Sequence, residues 1–154
     1  MNDLEWVIDT WVLYQVDSQD SVKAATACRF LATIFLRGQH KVAIDMNTES
    51  KIQREYERCF SKVKNDFPRK WWKYIKDFKL TFHSGKLAGR HVDYLTNRLG
   101  FDKGDLPFVG VASKTRSKLL VSEDSDYTPQ MQEYLKNNLQ VRVMSVDEAD
   151  SCAS

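Results

Sequence analysis

Along this chain, short continuous apolar runs alternate with longer segments whose apolar positions recur every three to four residues. That alternation predicts strand followed by helix. Glu5 to Val12, EWVIDTWV, contains a compact apolar run holding one acid, the pattern of a strand buried on both faces and ending at Asp9. Asp17 to Asp20 supply turn residues and an N-cap for a helix from about Ser21 to Leu36, with Val22, Ala25, Phe30, Thr33, Ile34 and Leu36 at helical spacing. Gly38 ends it, and Lys41 to Asp45 is a second strand. Thr48 or Glu49 can cap the next helix, whose Ile52, Tyr56, Cys59 and Phe60 share one stripe. Pro68 sits at the head of a helix over about Arg69 to Asp77, as proline prefers.

Leu80 to His83 is the third strand, and Leu87 to Leu99 is helical in pattern, closing at Gly100. Asp105 opens a further helix, with Pro107 in its first turn and Phe108, Val109 and Val111 facing inward, running to about Ser117. Leu119 to Ser122 is the fourth strand. Thr128 or Pro129 begins a helix to about Asn138, with Met131, Tyr134 and Leu135 apolar, and Val141 to Met144 is the fifth strand. Beyond it VDEADSCAS is expected to fray. The order predicts an α/β fold, three-layer α/β/α, around a central mostly parallel sheet of about five strands, with ligands at the carboxyl ends of the strands. A single domain over 1–148 with a frayed tail over 149–154 accounts for the chain.

Composition narrows the classes. The 154 residues suffice for a real core, and a net charge of +2 is too small to imply nucleic acid without local clustering. Cys28, Cys59 and Cys152 lack any C-x-x-C spacing, which argues against a disulfide framework or a zinc site and suits a reducing cytoplasm. The segment MNDLEW lacks the basic start and apolar core of a signal peptide, and no apolar run spans a bilayer. A cytoplasmic protein with no membrane partner is expected.

Three acids stand out by position. Asp9 closes a buried run, Asp105 opens a helix, and Asp124 follows the fourth strand with Asp126 beside it. Asp9 and Asp124 share one sheet edge if their strands are neighbours. Several hard oxygen ligands gathered there are what Mg²⁺ or Mn²⁺ needs to hydrolyse a phosphodiester. Asp105 also fits a helix N-cap, and Asp124 and Asp126 also fit turn positions. Asp9 is harder to account for structurally, because an unpaired buried carboxylate is costly.

Four segments, in this order, resemble the PIN-domain nuclease family: VIDTWVL (Val7 to Leu13), KIQREYERC (Lys51 to Cys59), GDLPFVGVA (Gly104 to Ala112) and LLVSEDSDY (Leu119 to Tyr127). The closing VRVMSVDEA is similar to the family's last strand and tail. The resemblance implies a metal-dependent endoribonuclease with Asp9, Glu55, Asp105 and Asp124 as catalytic and metal-binding carboxylates. Asp126 becomes an outer or second-metal ligand, and the Ser122 hydroxyl supports the shell where the family usually has threonine. Glu55 rather than Glu57 is chosen because it shares a helix face with Ile52. It further implies Mg²⁺ or Mn²⁺ as cofactor and RNA, single-stranded or structured, as substrate. A protein inhibitor is implied if the chain is the toxin of a toxin–antitoxin pair, a phage-defence effector being the other role; a homodimer is also consistent. Trp11 departs from the family, which usually carries a small polar residue there, most often asparagine.

Substrate grip falls to local basic residues. Lys86 and Arg90 precede the Asp105 helix and Arg116 precedes the fourth strand, with a solvated charged face as the alternative. Of Trp71 and Trp72, one is expected in the core and the other at a base or a protein interface. His40 is expected in a surface loop, and His83 and His91 in structural or solvated roles. Two other readings stay open: a catalytically inactive PIN-like module that binds RNA or protein, and a receiver-like domain with its own acidic Mg²⁺ pocket. The latter lacks the Thr/Ser and Lys pair expected after its strand-end aspartate.

Overall fold

The computed structural model describes residues 3–46 and 49–154. In chain order they form β1 (Leu4–Ile8), α1 (Thr10–Tyr14), α2 (Ser21–Leu36), β2 (His40–Asp45), α3 (Lys51–Phe60), α4 (Phe67–Phe78), β3 (Leu80–His83) and α5 (Gly89–Asp93). There follow α6 (Leu106–Lys114), β4 (Leu119–Val121), α7 (Pro129–Leu139), β5 (Arg142–Met144) and α8 (Val146–Ala153). The five strands make one sheet in the order β3-β2-β1-β4-β5, every pair parallel. An all-parallel sheet needs both faces covered. Here α6 lies against the β1, β2, β3 and β4 face bearing Val7, Ala43 and Leu120. The opposite face of β1 sends Trp6 onto Phe30 of α2, ring centroids 5.2 Å apart. Among the described residues no helix is long and apolar enough to cross a membrane.

The strand order reverses direction at β1, where the chain builds β2 and β3 on one side and β4 and β5 on the other. Loops leaving the carboxyl ends of β1 and β4 therefore diverge to opposite sides and leave a crevice between them. Ile8 pairs with Val121, so the residues just beyond, Asp9 and Ser122, are neighbours at the mouth of that crevice. The fold puts the first and fourth acidic segments side by side.

Several elements differ from their expected form. The apolar run after Asp9 turns away from the sheet, so that TWVLY is a short helix and β1 stops at Ile8. On α2 the buried face is Thr26, Ala27, Phe30, Leu31 and Ile34, while Val22, Ala25 and Leu36 are exposed. Thr48 lies outside the described residues; the side chain that caps α3 is Ser50, accepting from Gln53 N at 3.0 Å. Helix α6 ends at Lys114, short of Ser117, and the Leu87 to Leu99 segment resolves into α5 followed by a wide π turn, Tyr94–Arg98.

The segment expected to fray is α8. Ser145 and Glu148 form a reciprocal capping box at its start, and Val146, Ala149 and Ala153 are buried as it packs on α2. Its last turn also explains His40, which is fully buried at the start of β2 rather than in a surface loop. Trp6 Nε1 donates to His40 Nδ1 at 3.1 Å, which leaves Nε2 to donate to the Ala153 carbonyl at 3.0 Å. Burial lowers the pKa of that imidazole, consistent with a neutral ring. Both Trp71 and Trp72 are core residues, so neither is a free aromatic. Trp71 Nε1 donates to the Leu31 carbonyl, and Trp72 packs edge-on against Tyr56.

One close approach ties the loop after β3 to the sheet cover. A Cβ on Gly110 of α6 would lie 1.9 Å from the Gly85 carbonyl oxygen, so backbone meets backbone there and only glycine fits.

Candidate functional site

The site is built outward from the end of β1. Asp9 N donates to the Val121 carbonyl at 2.9 Å, which extends the β1–β4 ladder one step and fixes the residue's backbone. Its side chain is only 3% exposed and accepts from Ser122 Oγ at 2.6 Å. The same Ser122 oxygen accepts from Asp124 N at 3.0 Å, and Asp124 Oδ1 accepts from Asp126 N at 2.9 Å. One hydroxyl thus orients Asp9 and anchors the acidic turn after β4. Serine performs this with the donor and acceptor that any hydroxyl carries.

Glu55 arrives from α3. Two contacts dock that helix against the end of β1 and β2. The buried Tyr56 hydroxyl donates to the Ile8 carbonyl, and the Asp45 carboxylate accepts from Lys51 N at 2.8 Å and Ile52 N at 3.2 Å. Asp45 is therefore a buried strand-end carboxylate fully engaged in holding the α3 N-terminus, where an anion is favoured. With α3 so placed, Thr10 Oγ1 donates to Glu55 Oε2 at 3.0 Å, while Glu57 is exposed and takes a bond from Gln53. Asp105 stands at the head of α6 without capping it, since its side chain makes no hydrogen bond to the helix start.

A cleft of about 270 Å³ is lined by Asp9, Thr10, Trp11, Tyr14, Glu55, Arg58, Lys62 and Asp105. Asp124 borders the same acids, and its charge acts on both Asp9 and Asp105. Burial raises the Asp9 carboxyl to about 6 against the Ser122 hydrogen bond, with the charges of Asp124 and Glu55 adding to the rise. Asp105 is pushed up to about 7 by burial and then by the charges of Asp9, Asp124, Asp102 and Glu55. Asp126 is raised as well, by burial and by Asp124 and Asp102. These are hard oxygen donors held close enough to repel one another, and a divalent cation among them relieves that repulsion.

The basic residues divide differently from expectation. Arg116 lines a separate groove of about 650 Å³ with Lys41, Lys114 and Lys118. That groove runs from Glu5 and Arg116, near the amino end of β1, to Phe82 and His83 at the end of β3; Arg116 N bonds Glu5, four residues and about 13 Å of strand before Asp9. Arg116 does not line the cleft of the acids. Lys86 and Arg90 are exposed on the loop and helix after β3, and neither lines the cleft. His83 pairs with Glu5 at 2.6 Å, and His91 Nδ1 lies 2.8 Å from the Tyr134 hydroxyl, so both are occupied structurally.

Sequence reasoning missed five contributors. Arg58 and Lys62 are the cations of the cleft, three and seven residues after Glu55, a helical spacing that was there to be read. Tyr14 lines the cleft as well, its ring 5.7 Å from that of Trp11, the 52% exposed residue that the sequence marks as a departure. Asp102 lies one short turn before Asp105 and joins it and Asp126 in a carboxylate group. Tyr127 lies under the acids, 5% exposed, and its hydroxyl has no hydrogen-bond partner among the described residues. Comparison of the chain with family models, with curated proteins and with solved structures finds no match.

Proposed function

We propose that this chain is a metal-dependent endoribonuclease of the PIN type that hydrolyses phosphodiester bonds in single-stranded RNA. The observation that carries the reading is the convergence of Asp9, Glu55, Asp105 and Asp124 at the switch point of an all-parallel sheet. The donor set fits Mg²⁺ or Mn²⁺: all oxygen, drawn from separate elements, and too mutually repulsive to be comfortable without a cation. When bound, such ions polarise a phosphoryl oxygen and make a bound water more acidic.

The chain's own residues supply the rest. Ser122 holds the Asp9 carboxylate in one orientation, and Thr10 does the same for Glu55. Arg58 and Lys62 attract the phosphate backbone to the cleft wall. Trp11 and Tyr14 offer aromatic faces on which unpaired bases can stack, a preference for single strands built from geometry. Free thiols throughout agree with action in the reducing cytoplasm. In the narrower role of toxin or phage-defence effector, expression would arrest growth unless a protein inhibitor were present, and Asp9→Asn would abolish that arrest.

The test is cleavage of a mixed single-stranded RNA with Mn²⁺, comparing the wild type with Asp9→Asn and Asp124→Asn. Metal-dependent cutting lost in both variants is the expected result. RNA binding without cutting by the wild type would replace the nuclease with an inactive binding module, the second reading that Trp11 in the cleft favours. Cutting that survives both substitutions would sink the assigned site.

A further inference from the structure

The sheet face beneath α6 is not apolar throughout. Side chains alternate along a strand, so the residues sharing that face with Val7 and Ala43 include Glu5 on β1, Lys41 on β2, and Thr81 and His83 on β3. A parallel sheet is ordinarily apolar where helices cover it. These four polar residues instead line the groove of about 650 Å³, and its wall is Lys114, Arg116 and Lys118, from the end of α6 and the loop to β4. A polar floor under a basic wall suits a ligand better than a helix.

The acid on the floor is already committed. Burial works to raise the Glu5 carboxyl, yet bonds from His83 Nε2 at 2.6 Å, Arg116 N at 3.2 Å and Thr81 Oγ1 at 2.9 Å bring it below its ordinary value. Glu5 N in turn donates to Ser117 Oγ at 2.9 Å, so two bonds tie the loop before β4 to this residue. Lys118 in that loop has φ 52°, a left-handed conformation costly for a residue with a Cβ. Its ammonium donates to the Ser113 and Thr115 carbonyls at 3.3 Å each, and Lys114 Nζ donates to the Lys86 carbonyl at 2.6 Å. An ammonium held by carbonyls keeps its charge, is fixed in place and has a hydrogen to spare. Neither Lys41 nor Arg116 has a carboxylate partner among the described residues. Four cations thus surround one space whose remaining described carboxylate is the exposed Asp3.

We propose that this groove is a second binding site, for a polyphosphate chain: the inorganic ion or the phosphate tail of a nucleotide. The excess of cations asks for an anion. Cations converging on one space from a strand, a helix end and a loop suit a compact, multiply charged one, and the Arg116 fork matches phosphate oxygens two at a time. The volume falls in the range of small-molecule sites, about 300–1,000 Å³. A nucleic-acid strand bound for the acids would call for a basic stripe leading to them. The groove shares no lining residue with the acidic cleft, so the site stands apart from the nuclease reading.

The experiment measures binding of inorganic tripolyphosphate and of ATP to the full chain by calorimetry, in chelator so that no metal bridges the anion to the acids. Wild type, Lys41→Gln, Arg116→Gln and, from the cleft, Lys62→Gln are compared. One site per chain is expected. Arg116→Gln should weaken it about 10- to 100-fold, the range for a lost bond between charged groups. Lys41→Gln should weaken it about threefold, and Lys62→Gln should stay within about twofold. Melting temperatures should stay within about 2 °C of the wild type, because the backbone of Arg116, not its side chain, holds Glu5. Equal affinity for the two ligands would assign the phosphate chain itself and tighter ATP a nucleotide, each in support. No binding of either to the wild type, or a loss that Lys62→Gln shares, would overturn the site. So would a single-stranded RNA of about ten nucleotides that loses affinity with Arg116→Gln while tripolyphosphate fails to bind, since the groove would then belong to a strand. None of these outcomes bears on metal-dependent cutting, which decides the nuclease reading separately.

Discussion

Burial and neighbouring acids disfavour the charged form of Asp9, and replacing it should therefore stabilise the metal-free protein. Its carboxyl is raised from 3.8 to about 6 by burial first, partly opposed by the Ser122 hydrogen bond. A raised acid keeps its proton in the folded state at pH values where the unfolded chain has released it. The unfolded state then binds fewer protons, and stability falls as pH rises through that window. The loss begins above 3.8 and is complete once pH passes about 6. At about 1.4 kcal/mol per pKa unit, it amounts to about 3 kcal/mol. Asparagine carries no charge and still offers an oxygen to Ser122, so Asp9→Asn recovers most of this. In chelator near pH 8 the variant should be more stable by about 1–3 kcal/mol, roughly 3–10 °C in melting temperature for a domain of this size. Near pH 4.5 the advantage should shrink below about 1 kcal/mol. Saturating Mn²⁺ should reverse the order by raising the wild type alone. A variant less stable than the wild type in chelator at the higher pH, or an advantage that ignores pH, would refute the argument.

Other predictions follow from the contacts around the site. Gly110→Ala forces a Cβ onto the Gly85 carbonyl and should cost at least the upper part of the usual overpacking range, about 1–3 kcal/mol. Gly38→Ala, with nothing within 4 Å, is the control in the same thermal melts. Removing residues 146–154 deprives His40 of the Ala153 carbonyl and uncovers α2, so the shortened chain should lose its cooperative melt; survival within about 2 °C would mean α8 is dispensable. Trp11→Ala should leave the melting temperature unchanged and weaken single-stranded RNA binding in Ca²⁺ by about 5- to 100-fold, the range for one lost stacked base. Lys62→Gln should lower the slope of log affinity against log salt by about 0.7, as the loss of one phosphate contact to a single strand does; an unchanged slope would take Lys62 out of the interface.

The strands were legible because each is a short apolar run bounded by turn residues, and a parallel sheet buries such runs on both faces. Strand order is a different kind of information. No residue of β1 announces that β4 will be its neighbour; a shared sheet edge for Asp9 and Asp124 was conditional on that adjacency, which the pairing of Ile8 with Val121 supplies. Short elements misled for a physical reason. TWVLY is apolar enough for either a strand or a helical turn, and only the bond from Asp9 N to Val121, ending the ladder there, decides for the turn. VDEADSCAS looked like a tail because half of it is polar. Its signal was the spacing of Ser145 and Glu148, a capping box that declares a helix.

For the candidate site, the acids were visible and their surroundings were not. A carboxylate at a strand end stands out in a sequence because its burial is costly. Yet Asp45 meets that description as fully as Asp9, and the structure separates the two by their partners. Asp45 receives two backbone N–H groups and a serine hydroxyl, which satisfy it within the fold. Asp9 receives the Ser122 hydroxyl and a backbone contact from Thr10, and it faces three other acids, whose charges no described side chain in the cleft neutralises by a salt bridge. Asp45 thus holds a helix in place, whereas Asp9 is left among like charges, which is what makes it the candidate ligand. The same distinction applies to Tyr56 and Tyr127. Both rings are buried near the acids, but the Tyr56 hydroxyl bonds Ile8 and fastens α3, while the Tyr127 hydroxyl has nothing to bond within the described chain. Residue type and spacing nominate candidates. Which of them is left wanting a partner is decided only by the packing, and that decision separates the candidate metal ligands from the scaffold that presents them.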